Sequence, residues 1–207
     1  MYLFLPNKIV LPSPFTCSKI SVEEAIFRRT STRSYSWRLT VEEISQVLWA
    51  AYGTVNKNKK TVPSAGAKYP LNIYVVFGEV VGQGASVYKY DAGNNCLDLK
   101  ISGDVRAFLS KQKPVVEAPA SIVISASLTN INKKYGSRSK RFCYLEAGHC
   151  SQNIYLQAYS LGLGTVAIGS FSDRNVKSKL QMALDEIPIY IMPIGRNNPK
   201  SRHKAAN

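Results

Sequence analysis

The chain has 207 residues, 45% hydrophobic and 10% aromatic, enough to bury a sizeable core as one domain or as a large and a small lobe. Its formal net charge is +14, which points to an anionic partner: nucleic acid, a membrane surface or a phosphorylated small molecule. No apolar run reaches the ~18 residues of a membrane span, the four cysteines form no CxxC, and with two histidines there is no zinc-like cluster. Lone thiols, and an N-terminus without a basic start or a continuous apolar core, predict a cytoplasmic protein with no signal peptide.

Residues 1–20 read as an extended arm, because Pro6, Pro12 and Pro14 oppose helix. "SVEEAIFRR" opens a helix with Ser21 and Glu24 as a capping box. It runs into "RRTSTRSYS", residues 28–36, with three arginines and five serine or threonine hydroxyls in nine positions. That segment is either a solvated basic turn or a phosphate holder, since guanidinium forks and hydroxyls match phosphate oxygens. "TVEEISQVLWAAYG" is a second helix, boxed by Thr40 and Glu43 and ended by Gly53. Residues 56–70 read as a long loop and "LNIYVVF", 71–77, as a strand. "SVYKYD" and "NCLDLK" form a hairpin around the turn at 91–95. "DVRAFLSKQ" is a short helix, "ASIVISASL" (120–128) a buried strand and "NKKYGSRSKR" a polar loop.

The longest helical pattern covers 141–161. Tyr144, Ala147, Ser151, Ile154, Ala158 and Leu161 step by three and four, and Leu145, Leu156 and Tyr159 widen the stripe. Such a helix is buried centrally or in a subunit interface. "TVAIGSF" is a connection or short strand, "SDRNVKSKLQ" a helix capped by Ser172, and "IPIYIMPIG" the last strand before a basic tail. The order of elements predicts an α+β fold, with one domain over 21–196 between the arm at 1–20 and the tail at 197–207.

Common catalytic patterns are missing from the sequence. There is no phosphate loop of the G-x-x-x-x-G-K-[ST] type and no H-E-x-x-H. "GLGTVAIG" follows a helix rather than a strand, so it is out of context for a dinucleotide fingerprint. His149 and Cys150 are adjacent on a helix, the wrong geometry for a dyad, and His149 reads as a hydrogen-bonded structural residue. Glu23–Glu24 and Glu42–Glu43 suit helix N-termini. A chain without acid–base or metal side chains in a recognisable pattern points to a cofactor that carries the chemistry.

The segments "RRTSTRSY", "QVLWAAYG", "TVPSAGAKYPLNIYVV", "VYKYD", "EAPASIVIS", "YLEAGHCSQNIYLQAYSLGLGTVAIGSF" and "PIYIMPIGR" occur in that order. Together, from about Pro12 to Arg196, they resemble the FMN-dependent nitroreductase family, most closely its SagB-type thiazole/oxazole-forming dehydrogenase branch. The resemblance implies a central mixed, mainly antiparallel sheet flanked by helices, in an intertwined homodimer with FMN sites at the interface. It implies that Arg29, Ser31 and Arg33 clamp the FMN phosphate, joined by a basic residue of the tail, Lys200 or Arg202. Pro63, Ser64, Ala65 and Gly66 would reach the flavin from the other subunit. Ala167, Ile168, Gly169 and Ser170 would lie along the ring, with an N–H of Gly169 or Ser170 at N5, and Gln112 would place its amide on the flavin or ribityl chain. Lys68 and Tyr69 match a pair proposed to assist proton removal in azoline oxidation; otherwise Tyr69 packs on the ring edge and Lys68 is solvated.

These residues imply an FMN-dependent oxidoreductase that takes hydride from NAD(P)H or an organic donor and passes electrons to an acceptor such as a nitroaromatic or a quinone. The alternative in the same fold is oxidation of azolines to azoles in a peptide substrate. Azoline oxidases often carry a further N-terminal lobe; about twenty residues precede the first helix here, which favours a free-standing reductase or a small substrate. Two other classes stay open. A basic nucleic-acid-binding module would be colourless and bind DNA in a salt-sensitive way, although no such motif is present. A flavin-storing or flavin-sensing protein would be yellow and would not oxidise NAD(P)H.

Overall fold

The computed structural model describes residues 6–36, 39–57 and 59–197. The elements in chain order are β1 (Lys8–Val10), α1 (Val22–Arg28), β2 (Tyr35–Ser36), α2 (Val41–Tyr52), β3 (Thr54–Asn56), β4 (Lys59–Lys60), β5 (Leu71–Phe77), β6 (Ser86–Asp91), β7 (Cys96–Ser102), α3 (Arg106–Leu109), α4 (Lys113–Glu117), β8 (Ala120–Ser127), α5 (Thr129–Tyr135), α6 (Ser139–Ser160), β9 (Leu163–Thr165), α7 (Asp173–Lys179) and β10 (Glu186–Asn197). Short 3-10 turns lie at Ala65–Ala67 and Gly136–Arg138.

Among the described residues eight strands form one sheet in the order β1-β7-β6-β5-β8-β10-β2, with β9 also on β10; β3 and β4 form a separate hairpin. The ladders among them are antiparallel, and parallel pairing is confined to the isolated bridges Ser31–Thr165 and Leu39–Val80. This is the α+β architecture that the order of elements predicts.

The central strands are covered on both sides. On β5, Ile73, Val75 and Phe77 face one core with Ile44, Leu48, Ala147 and Ile154 of α2 and α6. Tyr74 and Val76 face a second core with Leu109, Val115, Val176 and Ile191. Successive strand residues point to opposite faces, so a strand buried on both reads as an unbroken apolar run, as "LNIYVVF" and "ASIVISA" do. Each fully buried Val, Leu or Ile contributes about 1.5–3 kcal/mol.

Three expectations change on contact with the fold. The Ser21 hydroxyl accepts from the Glu24 N–H, but the Glu24 carboxylate turns away to the Tyr159 hydroxyl at 3.2 Å and to Arg28, so only half of that capping box forms. The full box is at Thr40 and Glu43. The "polar loop" 132–141 is mostly helical, because Ile131 is buried and the Tyr135 and Phe142 rings meet at 4.6 Å, tethering α5 to α6. On α6, Ala147, Ser151, Ile154 and Ala158 are buried as the spacing predicts, but Tyr144 and Leu145 are exposed and so is His149, which is therefore not a buried structural histidine.

Candidate active site

Two clusters collect most of the residues that the sequence singles out. The first forms where the end of α1 meets the segment after β9. The Arg29 guanidinium lies 4.9 Å from the centroid of the Tyr155 ring. Ser31 bridges to Thr165, and the Thr32 N–H donates to the Thr165 carbonyl at 2.9 Å. The Tyr155 hydroxyl is the hub: Ser31 Oγ is 3.1 Å from it, and it accepts the Ala167 N–H at 2.8 Å. Arg33 is exposed two residues on. The Tyr35 hydroxyl donates to the Thr32 carbonyl at 2.6 Å and pins this turn; burial pushes that phenol far above its ordinary range.

Two polar atoms of this cluster, Arg29 Nε and Thr165 Oγ1, are buried with no hydrogen-bond partner among the described residues. Leaving such groups unpaired costs about 1–3 kcal/mol each, more for a charged one. Donors dominate the cluster, and none of its members is a carboxylate. A guanidinium and two hydroxyls fit a phosphate-bearing ligand.

Residues 167–170 continue outward from this hub. Ala167 gives its N–H to Tyr155, and Ile168 exchanges two backbone bonds of 2.9 Å with Ile191. Gly169 and Ser170 are exposed, and no described residue accepts from their N–H groups. The Gln112 amide donates to the Ser170 carbonyl at 2.9 Å, at the wall of a cleft of about 710 Å³ between α3 and α7. Arg29, Ser31, Ala167, Ile168, Gly169, Ser170 and Gln112 thus lie along one continuous path.

The second cluster is the loop from Pro63 to Tyr69. Gly66, Ala67 and Tyr69 all have left-handed backbone, with φ of 58°, 51° and 47°. For Ala67 and Tyr69 that costs roughly 1–2 kcal/mol each. Gly66 also sits so close to α5 that an added Cβ would lie 2.7 Å from the Tyr135 hydroxyl. The Ser64 hydroxyl accepts the Tyr69 N–H at 2.8 Å, and the Tyr69 ring meets Tyr52 edge-on, centroids 6.2 Å apart. Pro63 and Lys68 are exposed and Ala65 half-buried. Below the loop, the Tyr52 hydroxyl donates to Glu146 Oε1 at 2.6 Å and accepts the Leu71 N–H at 3.2 Å. Lys60 Nζ lies 4.6 Å from the Tyr52 ring, and burial pushes its pKa down. Clefts of about 420 and 370 Å³ flank Tyr69, and both are lined by Lys60 as well.

The two clusters stand apart in the chain. Each is anchored on α6, one at Glu146 and the other at Tyr155, about 14 Å apart at 1.5 Å per residue. Lys200 and Arg202 lie outside the described residues. Sequence reasoning passed over Tyr155, Thr165, Tyr52 and Glu146. For Glu146 a signal was there: it is the single acid on α6, three residues after buried Cys143 and four before buried Cys150.

A family model for the nitroreductase family matches residues 26–196. The chain belongs to the nitroreductase family. A protein of Methanocaldococcus jannaschii with a provisional nitroreductase designation is 41% identical over 184 residues, spanning 86% of this chain and 92% of the relative. A crystal structure from Ralstonia eutropha JMP134, with a similar designation, superposes with a TM-score of 0.83 at 29% identity, over 93% of this chain and 90% of that one. The trifolitoxin-processing protein TfxB of Rhizobium leguminosarum bv. trifolii is 29% identical over 140 residues, which is 63% of this chain but 38% of TfxB. Nitroreductase-family membership makes the protein an oxidoreductase. No helix among the described residues is long and apolar enough to cross a membrane.

Proposed function

We propose that this nitroreductase-family protein is an FMN-dependent oxidoreductase, carrying electrons from NAD(P)H or an organic donor to an acceptor such as a nitroaromatic or a quinone. The observation that carries the reading is the pair of buried, unpartnered groups, Arg29 Nε and Thr165 Oγ1, on either side of Ser31. FMN, when bound, supplies a ring that accepts and donates hydride. Arg29, Ser31 and Arg33 hold its phosphate, with Lys200 or Arg202 of the tail joining them. Tyr155 fixes Ser31 and Ala167 in one frame, so the phosphate end and the ring end share a support. Gly169 and Ser170 offer N–H groups to the ring, and Gln112 orients Ser170. Catalysis on this account rests on placing donor and acceptor in turn against one face.

The active unit is a homodimer in which the loop 63–69 of one copy completes the site of the other. Support comes from the separation of the two clusters within a protomer and from the exposed apolar side chains on α1 and α6, with Phe27 86% and Tyr144 and Leu145 each 53% exposed. Patches of that kind mark interaction surfaces. A mixing experiment tests both points. Arg29→Ala/Arg33→Ala chains, which lose the phosphate holders, and Gly66→Val chains, whose loop is displaced by the clash with Tyr135, are each inactive as homodimers and regain NAD(P)H oxidation on co-expression if one site draws on two copies. No recovery in a verified mixed dimer sinks the shared site.

A second reading is oxidation of azolines to azoles in a peptide, with Lys68 and Tyr69 assisting proton removal. It draws on the similarity to a toxin-processing protein and on a strained loop that sets Tyr69 between two clefts and leaves Lys68 exposed. Anaerobic reduction of the flavin by an azoline peptide, absent in Lys68→Ala, separates it from the NAD(P)H reading. Unpaired cysteines at 17, 96, 143 and 150 fit the reducing cytoplasm.

A further inference from the structure

Glu146 is the one feature beneath the loop that the reading above does not use. It is 2% exposed, on a 22-residue helix with no other acid. One carboxyl oxygen accepts from Tyr52; the other, Oε2, is buried with no hydrogen-bond partner among the described residues. No cation among them lies within ion-pairing distance. A carboxyl in that setting needs a reason to be retained, since burial of an unpaired charge is unfavourable.

Its neighbours supply the reason. Tyr52 accepts the Leu71 N–H, so its single proton is directed at Glu146, and the Tyr52 position is fixed at both ends. Leu71 opens β5 two residues past the loop, and the Tyr69 ring rests edge-on against the Tyr52 ring. On the other side the Ser64 hydroxyl faces the carboxyl and also accepts the Tyr69 N–H. The carboxyl therefore meets the start of the loop at Ser64 and, through Tyr52, the chain just past its end, in the only described loop in which three residues out of four take left-handed backbone.

We infer that Glu146 is the positioning residue of this loop: through Tyr52 and Ser64 it holds the backbone at 66–69 in the form that presents Lys68 and Tyr69. The geometry stands without the proposed function; only the use of the loop rests on that reading. Burial favours the neutral acid, which needs no counter-charge. Burial holds its pKa above the ordinary carboxylate value, with Ser64 and Tyr52 opposing. The titratable groups that face it are Tyr52 of α2, Lys60 of β4, and Cys143, His149 and Cys150 of α6 itself. In either protonation state the carboxyl can accept from Tyr52 and Ser64, and Ser64 still accepts the Tyr69 N–H.

The test follows the Tyr69 amide, which is bonded to Ser64, by NMR hydrogen exchange in the wild type, Glu146→Gln, Glu146→Ala and Tyr52→Phe. Protection factors, corrected for intrinsic exchange, are taken beside amides of β5 and β8 as a control for global opening. The wild type protects the Tyr69 amide, and Glu146→Gln, which keeps an acceptor for Tyr52, retains that protection. Glu146→Ala and Tyr52→Phe lose roughly tenfold at Tyr69 while the sheet amides keep theirs. Equal Tyr69 protection in all four proteins, or a loss in Glu146→Ala matched by the sheet amides, overturns the inference. If Glu146→Ala fails to fold, Tyr52→Phe and Glu146→Gln still decide it. A protein that binds no flavin yet behaves as described refutes the proposed function and leaves this role intact.

Discussion

The Tyr155 hydroxyl accepts the backbone N–H of Ala167 at 2.8 Å, and this bond couples the arginine segment to the segment along which a ring would lie. Ser31 Oγ, 3.1 Å from the same oxygen, completes the junction. Tyr155→Phe leaves the Ala167 N–H without its acceptor and frees Ser31. Stability should fall by about 1 kcal/mol in urea titrations, and FMN affinity should fall by more than in a surface control such as Lys100→Ala, exposed near the end of β7.

Glu146 gives a stability signature with a definite sign. Its pKa is raised in the folded chain, so the folded state binds the extra proton. Its favourable contribution is full below the ordinary value of 4.5 and is lost as pH rises through the raised folded value. Glu146→Gln does not titrate. Thermal melts should show the variant gaining on the wild type as pH rises above 4.5 and keeping the gain at pH 8.

Asp185 gives the opposite sign. Hydroxyls of Ser127 and Thr129 and the Thr129 N–H surround its carboxylate and lower its pKa from 3.8 to about 2. Its contribution is present above 3.8 and is lost as pH falls through about 2. Asp185→Ala should cost about 1 kcal/mol at pH 7, because the site is partly exposed, and the difference should close toward pH 2.

Ala67 carries its left-handed backbone without a glycine's freedom. Ala67→Gly removes a strain of about 1–2 kcal/mol and adds about 0.5–1 kcal/mol of unfolded-state entropy. The variant should be equal to the wild type or more stable by up to about 1 kcal/mol in urea titrations. A clear loss would mean that the loop backbone is not held as described.

The sheet was legible because its signal is local. "LNIYVVF" and "ASIVISA" are apolar without a break since both faces of β5 and β8 are covered, and the Thr40–Glu43 box needs only four residues. Arg29, Ser31 and residues 167–170 were legible as motifs, and the fold puts them on one path. What escaped is long-range. Tyr155 meets Ser31 across 124 residues and Glu146 meets Tyr52 across 94, and no spacing rule reaches that far. The segment that became α5 has too few apolar residues to show a period; its helix depends on Ile131 and on the contact of Tyr135 with Phe142.

The most direct test of the central claim is a visible-spectrum titration of the purified protein with FMN, beside the Arg29→Ala/Arg33→Ala variant. The account predicts a yellow complex of one flavin per chain, bleached anaerobically by NADPH or NADH, and loss of that complex in a variant that keeps its melting temperature. A folded, colourless wild-type protein that leaves FMN free in solution would contradict it.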